Sequence, residues 1–247
     1  MVIGSCDIIF IEEVMMAEQT NIFSKTDLKI NLGCGRNTKQ GWVNVDYAER
    51  ENKLDIICDL SKEFPFVENC CSYIYSEHLI EHLEWLDGRN LIEKCFKSLQ
   101  KDGVFRIVFP DFEKIFRAYI DRDEVFFKNM SSGLNDDDYN YYKRVYEHPE
   151  EIKKERINNL PPAWHFSNSE EDRKKVLLRI RKHKYLIQIV HWAVYQFGEH
   201  KTLYDTESMT GLLKEIGFSK AYASSFDPQM DSSKYYKPSC CYIEAIK

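Results

Sequence analysis

The chain has 247 residues, of which 43% are hydrophobic and 30% charged, with a formal net charge of -6. That length and balance fit one globular domain, or one domain with an insertion, whose core needs no disulfide or metal staples. The acidic total argues against nucleic acid as a partner, and no run approaches the roughly 18 apolar residues of a membrane-spanning helix.

Residues 1–26 carry Asp7, Glu12 and Glu13 among apolar residues. They lack the basic start and unbroken apolar stretch of a secretory signal, and read as a peripheral extension. The eight cysteines are Cys6, Cys34, Cys58, Cys70, Cys71, Cys95, Cys240 and Cys241. No C-x-x-C pair occurs and several sit in apolar runs, so they read as reduced thiols of a cytoplasmic protein.

Residues 28–32 form the first strand-like run, ending in Gly33-Cys34-Gly35. Residues 42–45 form the second, ending at Asp46, and residues 55–58 the third, ending at Asp59. A fourth run, residues 73–75, leads into a predicted helix over 77–99, with an apolar side of Leu83, Leu86, Leu91, Ile92, Cys95 and Leu99. Lys101-Asp102-Gly103 predicts a turn before a fifth strand over 104–109. Residues 112–199 break this rhythm. Val176, Ile180, Ile187, Val190, Val194 and Phe197 make one stripe of an amphipathic helix that Gly198 can end, so this segment is expected to be a helical cap inserted in the core. Residues 200–247 return to the α/β pattern, with a helix over 206–216 and strands over 221–226 and 241–246. The expected architecture is a doubly wound, Rossmann-like sheet whose core spans 27–111 and 200–247.

Gly33-Cys34-Gly35 after a strand lets the backbone turn sharply and approach a ligand without a Cβ in the way. A dinucleotide fingerprint would want Gly or Ala where Thr38 stands, and the link to the second strand is too short for a normal helix. That speaks against a nicotinamide-dependent oxidoreductase. An acid at the tip of the second strand, Asp46, can accept hydrogen bonds from ribose hydroxyls, and one at the tip of the third, Asp59, from an adenine amino group.

Five motifs in order resemble class I S-adenosylmethionine (SAM)-dependent methyltransferases, and look closest to the small bacterial type 11-like group. They are Leu32-Gly33-Cys34-Gly35 after Asn31, Gly41-Trp42-Val43-Asn44-Val45-Asp46, Asp59-Leu60, Glu77-His78-Leu79-Ile80-Glu81-His82-Leu83, and Pro110-Asp111. His200-Lys201-Thr202-Leu203-Tyr204-Asp205 and the closing strand resemble that group too. The resemblance implies seven strands with the last one antiparallel, SAM as cofactor and S-adenosylhomocysteine as product. It implies that Gly33, Cys34 and Gly35 approach the methionine part of SAM, and that Asp46 holds the ribose. Asp59 and Leu60 would border the adenine, with Ser76 and Glu77 at the methyl end. Asn31 stands where the family usually has an acid, which weakens the expected grip on the SAM ammonium group. The acceptor expected is a small molecule, including sugars of surface polysaccharides, and a non-catalytic SAM-binding module is the alternative.

His78, His82 and Asp111 are candidate catalytic groups for removing an acceptor's proton. Trp164, His165 and His200 are candidates for the acceptor pocket. His78 to His82 also spells H-x-x-E-H, a zinc-protease pattern, but it follows a strand that already explains it, so no metal is expected. The basic residues between Arg173 and Lys184 read as a solvated helix face.

Overall fold

The structure is a computed structural model that describes residues 26–49, 53–123, 125–127, 130, 186–233 and 237–247. Trp164, His165, the basic segment, the first part of the predicted long helix and nearly all of the N-terminal extension lie outside the described residues. Seven strands form one sheet: β1 Leu28–Leu32, β2 Val43–Asp46, β3 Ile56–Ile57, β4 Cys71–Glu77, β5 Leu99–Pro110, β6 Lys220–Ala223 and β7 Cys240–Ile246. Their order is β3-β2-β1-β4-β5-β7-β6. Strands β1 to β5 pair in parallel, and β7 runs antiparallel to both β5 and β6. This is the α/β architecture expected from the sequence, reversed last strand included.

Side-chain alternation divides β4 and β5 between two faces. Ile74, Phe105, Ile107 and Phe109 point into the main core. They meet helix α1, Trp85–Ser98, through Leu91, Ile92 and Cys95. They also meet the later helix, Thr206–Ile216, through Met209, Leu212 and Leu213. On the other face Tyr75, Val108, Cys240 and Tyr242 make a second cluster against Trp42, Tyr73 and Phe226. A third cluster joins helix α2, Phe112–Ile120, to helix α3, Leu186–Tyr195, through Phe112, Ile115, Ala118, Val190 and Ala193. The Thr206–Ile216 helix, α4, opens with a capping box between Asp205 and Ser208 and ends at Gly217, whose φ is 124°.

The stretch read as one helix from residue 77 is built differently. Glu77 still belongs to β4, paired with Val108, and His78 adopts a left-handed φ of 53°. A single 3-10 turn, Ile80–His82, ends at an extended Leu83 before α1 begins. Leu83 and Leu99 therefore fall outside the helix, and Leu86 is 68% exposed rather than part of an apolar side. The predicted turn at Asp102 survives as a left-handed residue, φ 63°, inside the long β5, where the register with β4 slips.

Arg106 points from β5 into the second face and is 1% exposed. All five guanidinium donors are used. Nε and Nη2 grip both oxygens of the buried Asp231 at 2.7 Å, Nη1 reaches Glu244 at 2.8 Å and Ser224 at 3.2 Å, and Nη2 also donates to the Ser225 carbonyl at 2.8 Å. This anchors residues 224–231 across the sheet.

Asp231→Ala would leave Arg106 in the interior with two of its five hydrogen bonds gone. Loss of one member of a buried pair typically costs about 3–5 kcal/mol, and chemical denaturation should show a destabilisation of that size. A second test concerns the turn after β1. Gly33 and Gly35 have φ values of 62° and 54°. A Cβ on Gly33 would sit 2.9–3.1 Å from the Leu79 side chain, including its Cβ, whereas one on Gly35 meets nothing within 4 Å. Gly35→Ala should bear only the left-handed strain, about 1–2 kcal/mol. Gly33→Ala should be clearly the less stable of the two by thermal melting.

Candidate functional site

Parallel pairing brings the carboxyl ends of β1 to β5 to one edge, the usual ligand edge of an open α/β sheet. Residues 33–42 cross from β1 to β2 without a helix. The Cys34 N–H donates to the Val45 carbonyl at 3.1 Å. The Gly35 and Tyr47 N–H groups donate to the two carboxylate oxygens of Asp46, each at 2.8 Å. Asp46 thus locks the glycine turn onto the end of β2. A carboxylate offers about four lone-pair sites, so each oxygen keeps one for a further donor.

Asn31, buried at the end of β1, donates from Nδ2 to the Asn37 carbonyl at 2.9 Å and to Asn44 Oδ1 at 3.0 Å. Asn44 accepts from the Lys39 N–H at 2.7 Å and donates to the Lys39 and Trp42 carbonyls and to Asp55 Oδ2. An acid at position 31 could make neither of the Asn31 bonds. Lys39 lies over the Tyr75 ring at 4.5 Å and donates to the Met230 carbonyl at 2.5 Å. Burial lowers its pKa, partly offset by Glu77 and Asp231.

Leu60 is buried at the end of β3. Asp59 is engaged locally. One oxygen accepts from the Ser61 N–H at 3.1 Å and hydroxyl at 2.6 Å, and the other from Lys62 at 2.6 Å. Burial pushes against its charge, but these bonds hold its pKa below the ordinary carboxylate value.

Ser76 is buried on β4. Glu77 accepts from the Tyr75 hydroxyl at 2.6 Å, from the Ser232 N–H at 3.0 Å and from the Ser233 hydroxyl. Burial raises its pKa, and these donors more than reverse the effect, so it stays ionised. Tyr75, Ser232, Ser233, Lys39 and Asp231 were not singled out from the sequence. The usable signal was Arg106, a cation within an apolar strand, which must find a carboxylate elsewhere in the chain.

His78 directs Nδ1 to Glu81 at 2.8 Å, and its Nε2 faces Lys237 at 3.2 Å. Burial opposes its charge, but the neighbouring Cys240 and Glu81 raise its pKa to about 10. Glu81 is fully buried. Desolvation opposes its ionisation, yet His78 and the nearby His82 and His200 hold its pKa at about 2. His82 and His200 stack edge to face with centroids 5.1 Å apart. The H-x-x-E-H pattern therefore does not place His78 and His82 on one helix; the fold pairs His82 with the distant His200. Asp111 caps α2, accepting from the Lys114 N–H at 3.2 Å, and its other oxygen meets Cys241 Sγ at 2.9 Å and the Thr206 hydroxyl at 3.3 Å. Two surface hollows flank this region: one of about 340 Å³ lined by Lys114, Thr206, Phe226 and Cys241, and one of about 450 Å³ lined by Phe112, Phe116, Leu203 and Tyr204.

No family model and no curated relative matches the chain. Among solved structures it is similar to a SAM-dependent methyltransferase from Archaeoglobus fulgidus, with 13% identity, 96% of this chain and 94% of that one covered, and a TM-score of 0.47. It is similar to a SAM-dependent methyltransferase from Mesorhizobium loti, with 15% identity, 94% and 96% covered, and a TM-score of 0.44. It is also similar to one from Thermotoga maritima described as a possible histamine N-methyltransferase, with 11% identity, 94% and 89% covered, and a TM-score of 0.44. No helix of the described residues is long and apolar enough to cross a membrane. The sheet order, with β7 inserted antiparallel between β5 and β6, makes the fold a Rossmann-like α/β sheet with a reversed last strand.

Proposed function

We propose that the protein is a methyltransferase that transfers the methyl group of SAM to a small-molecule acceptor. The observation that carries the reading is the joint placement of the left-handed Gly33–Gly35 turn, the buried Asp46 and the ionised Glu77 at one edge of this sheet. The residues suit the cofactor. Space is open in front of Gly35, and Asp46 has lone pairs left for two ribose hydroxyls. When bound, SAM supplies a methyl group made electrophilic by its sulfonium.

The chain's own task is then to position the acceptor in line and to exclude water. Gly33, Cys34 and Gly35 let the main chain come close to the methionine part. Asp46 fixes the ribose, Asp59 and Leu60 border the adenine, and Ser76 and Glu77 lie beside the methyl end. The carboxylate of Glu77 favours a cation next to it. Asp111 serves here as a buried helix cap. His78 has Nδ1 engaged by Glu81 and Nε2 facing Lys237, which leaves neither nitrogen free for an acceptor's proton. A neutral ring nitrogen remains on His200, whose pKa burial lowers to about 4, and His82 packs edge to face against it. Acceptor recognition is assigned to residues 112–199, including Trp164 and His165, because the sheet motifs account for the cofactor alone. The cytoplasm is the compartment that the free cysteines of the described residues suit.

Calorimetry with SAM and S-adenosylhomocysteine should give micromolar dissociation constants, the usual order for cofactors. Binding of NAD in their place would sink the reading. Binding without product, across cell-extract fractions screened with labelled SAM, would favour a non-catalytic SAM-binding module.

Asp46→Ala should weaken SAM binding roughly ten- to hundredfold, as expected for lost hydrogen bonds to a charged acceptor worth about 1.5–3 kcal/mol. Asp59→Ala should have the smaller effect, since that carboxylate is already occupied by Ser61 and Lys62. Equal affinities in the two variants would contradict the assigned roles.

A further inference from the structure

Glu81, His82 and His200 bring one carboxylate and two imidazoles together, with ligand atoms all within 4.8 Å of one another. Both rings are oriented by the backbone. His82 Nδ1 lies 3.2 Å from the Glu199 carbonyl, and His200 Nδ1 lies 2.8 Å from the Ala193 carbonyl. A carbonyl can only accept, so each Nδ1 carries the hydrogen and each neutral ring keeps its lone pair on Nε2. This is the arrangement by which metal-binding histidines are usually held.

The carboxylate supplies the second, independent observation. Glu81 is 0% exposed, and its Oε2 has no hydrogen-bond partner. Leaving a buried charged acceptor unmet is strongly unfavourable. His78 engages Oε1 at 2.8 Å, the oxygen that also lies 4.0 Å from His82 Nε2.

We propose that Glu81, His82 and His200 bind a divalent transition-metal ion of the zinc class through the Glu81 carboxylate and the two Nε2 atoms. Two nitrogens and one oxygen suit zinc and its neighbours, whereas calcium and magnesium prefer oxygen alone. Metal–ligand bonds of about 2.1 Å in a tetrahedron need ligand atoms roughly 3.4 Å apart, so the cluster must close by side-chain rotation. Three protein ligands leave one position open, and the His82 side chain, 30% exposed, admits solvent to it. The ion would join the 3-10 turn Ile80–His82 to the segment that follows α3. Those two already share bonds from the Lys201 and Thr202 N–H groups to the Glu81 carbonyl, at 2.8 and 3.2 Å. The site does not depend on the methyltransferase reading and can be tested apart from it.

The untagged full chain should be stripped with a chelator and titrated with Zn2+ by calorimetry and with Co2+ by absorption spectroscopy. The expected result is one ion per chain, with cobalt d–d bands and no thiolate-to-cobalt charge-transfer band. The double variant His82→Ala/His200→Ala should lose affinity by more than the roughly hundredfold that changes outside the ligand shell reach. Three results would overturn the proposal: no stoichiometric binding by the unaltered chain, a thiolate band in its cobalt spectrum, or equal binding by the double variant. The spectrum of the unaltered chain decides the matter even if the variant fails to fold.

Discussion

The bidentate pair between Arg106 and Asp231 is the constraint on which the ligand edge depends. Arg106 sits on β5, the strand between β4 and the reversed β7, and is too deeply buried to be hydrated. A buried guanidinium must be met by fixed acceptors, and its planar fork demands them in one geometry. Segment 224–231 supplies most of them and is pinned across the second face as a result. Its continuation then delivers the Ser232 N–H and Ser233 hydroxyl to Glu77, while the Met230 carbonyl receives Lys39. Through that chain of contacts, one cation on β5 sets the position of the carboxylate at the end of β4 and of the loop between β1 and β2.

That loop poses its own problem. A crossover between parallel strands is normally a helix, which satisfies its own backbone. Residues 33–42 have no helix, so side chains take over the task. Asn31, Asn44 and Asp55 do so as one network, and the two asparagines succeed because an amide both donates and accepts. The same feature bears on ligand choice. Without a helix N-terminus after the glycine turn, the backbone lacks the usual cradle for a pyrophosphate, whereas a ligand that presents hydroxyls to Asp46 is still accommodated.

Strand positions were legible because β1 and β2 carry apolar residues at a two-residue period and β5 a longer apolar run, ended by Gly33, Asp46 and Pro110. The glycine turn and the acids at the ends of β2 and β3 were legible for the same reason. The start of α1 was not. Leu83 and Leu86 mimic a helical stripe, and nothing in the pattern shows that His78 takes a left-handed backbone and Leu83 an extended one. Nor does the pattern show where a polar side chain spends its bonds. Asn31 reads as a ligand contact and also anchors a loop; Asp111 reads as a possible base and also caps a helix. The meeting of Glu81 with His200 joins residues far apart in sequence, and only the fold brings them together.

The path of the chain shows how one scaffold can combine a fixed sheet with a variable excursion. The core is left at Asp111, the N-cap of α2, and re-entered at Tyr204, just before α4. These two residues form a parallel bridge, and the Phe112 N–H donates to the Tyr204 carbonyl at 3.1 Å. The excursion thus opens and closes at one point. Its length can change without disturbing the register of β5 with β7, because the entropy of closing a loop grows only slowly with its length. Under the proposed function, this separates two requirements. Residues of β1 to β4 must keep their geometry for a constant cofactor, while the excursion is free to vary with the acceptor. The Glu81–His82–His200 cluster lies beside that closure, since Lys201 and Thr202 of the returning chain donate to the Glu81 carbonyl in the turn that follows β4.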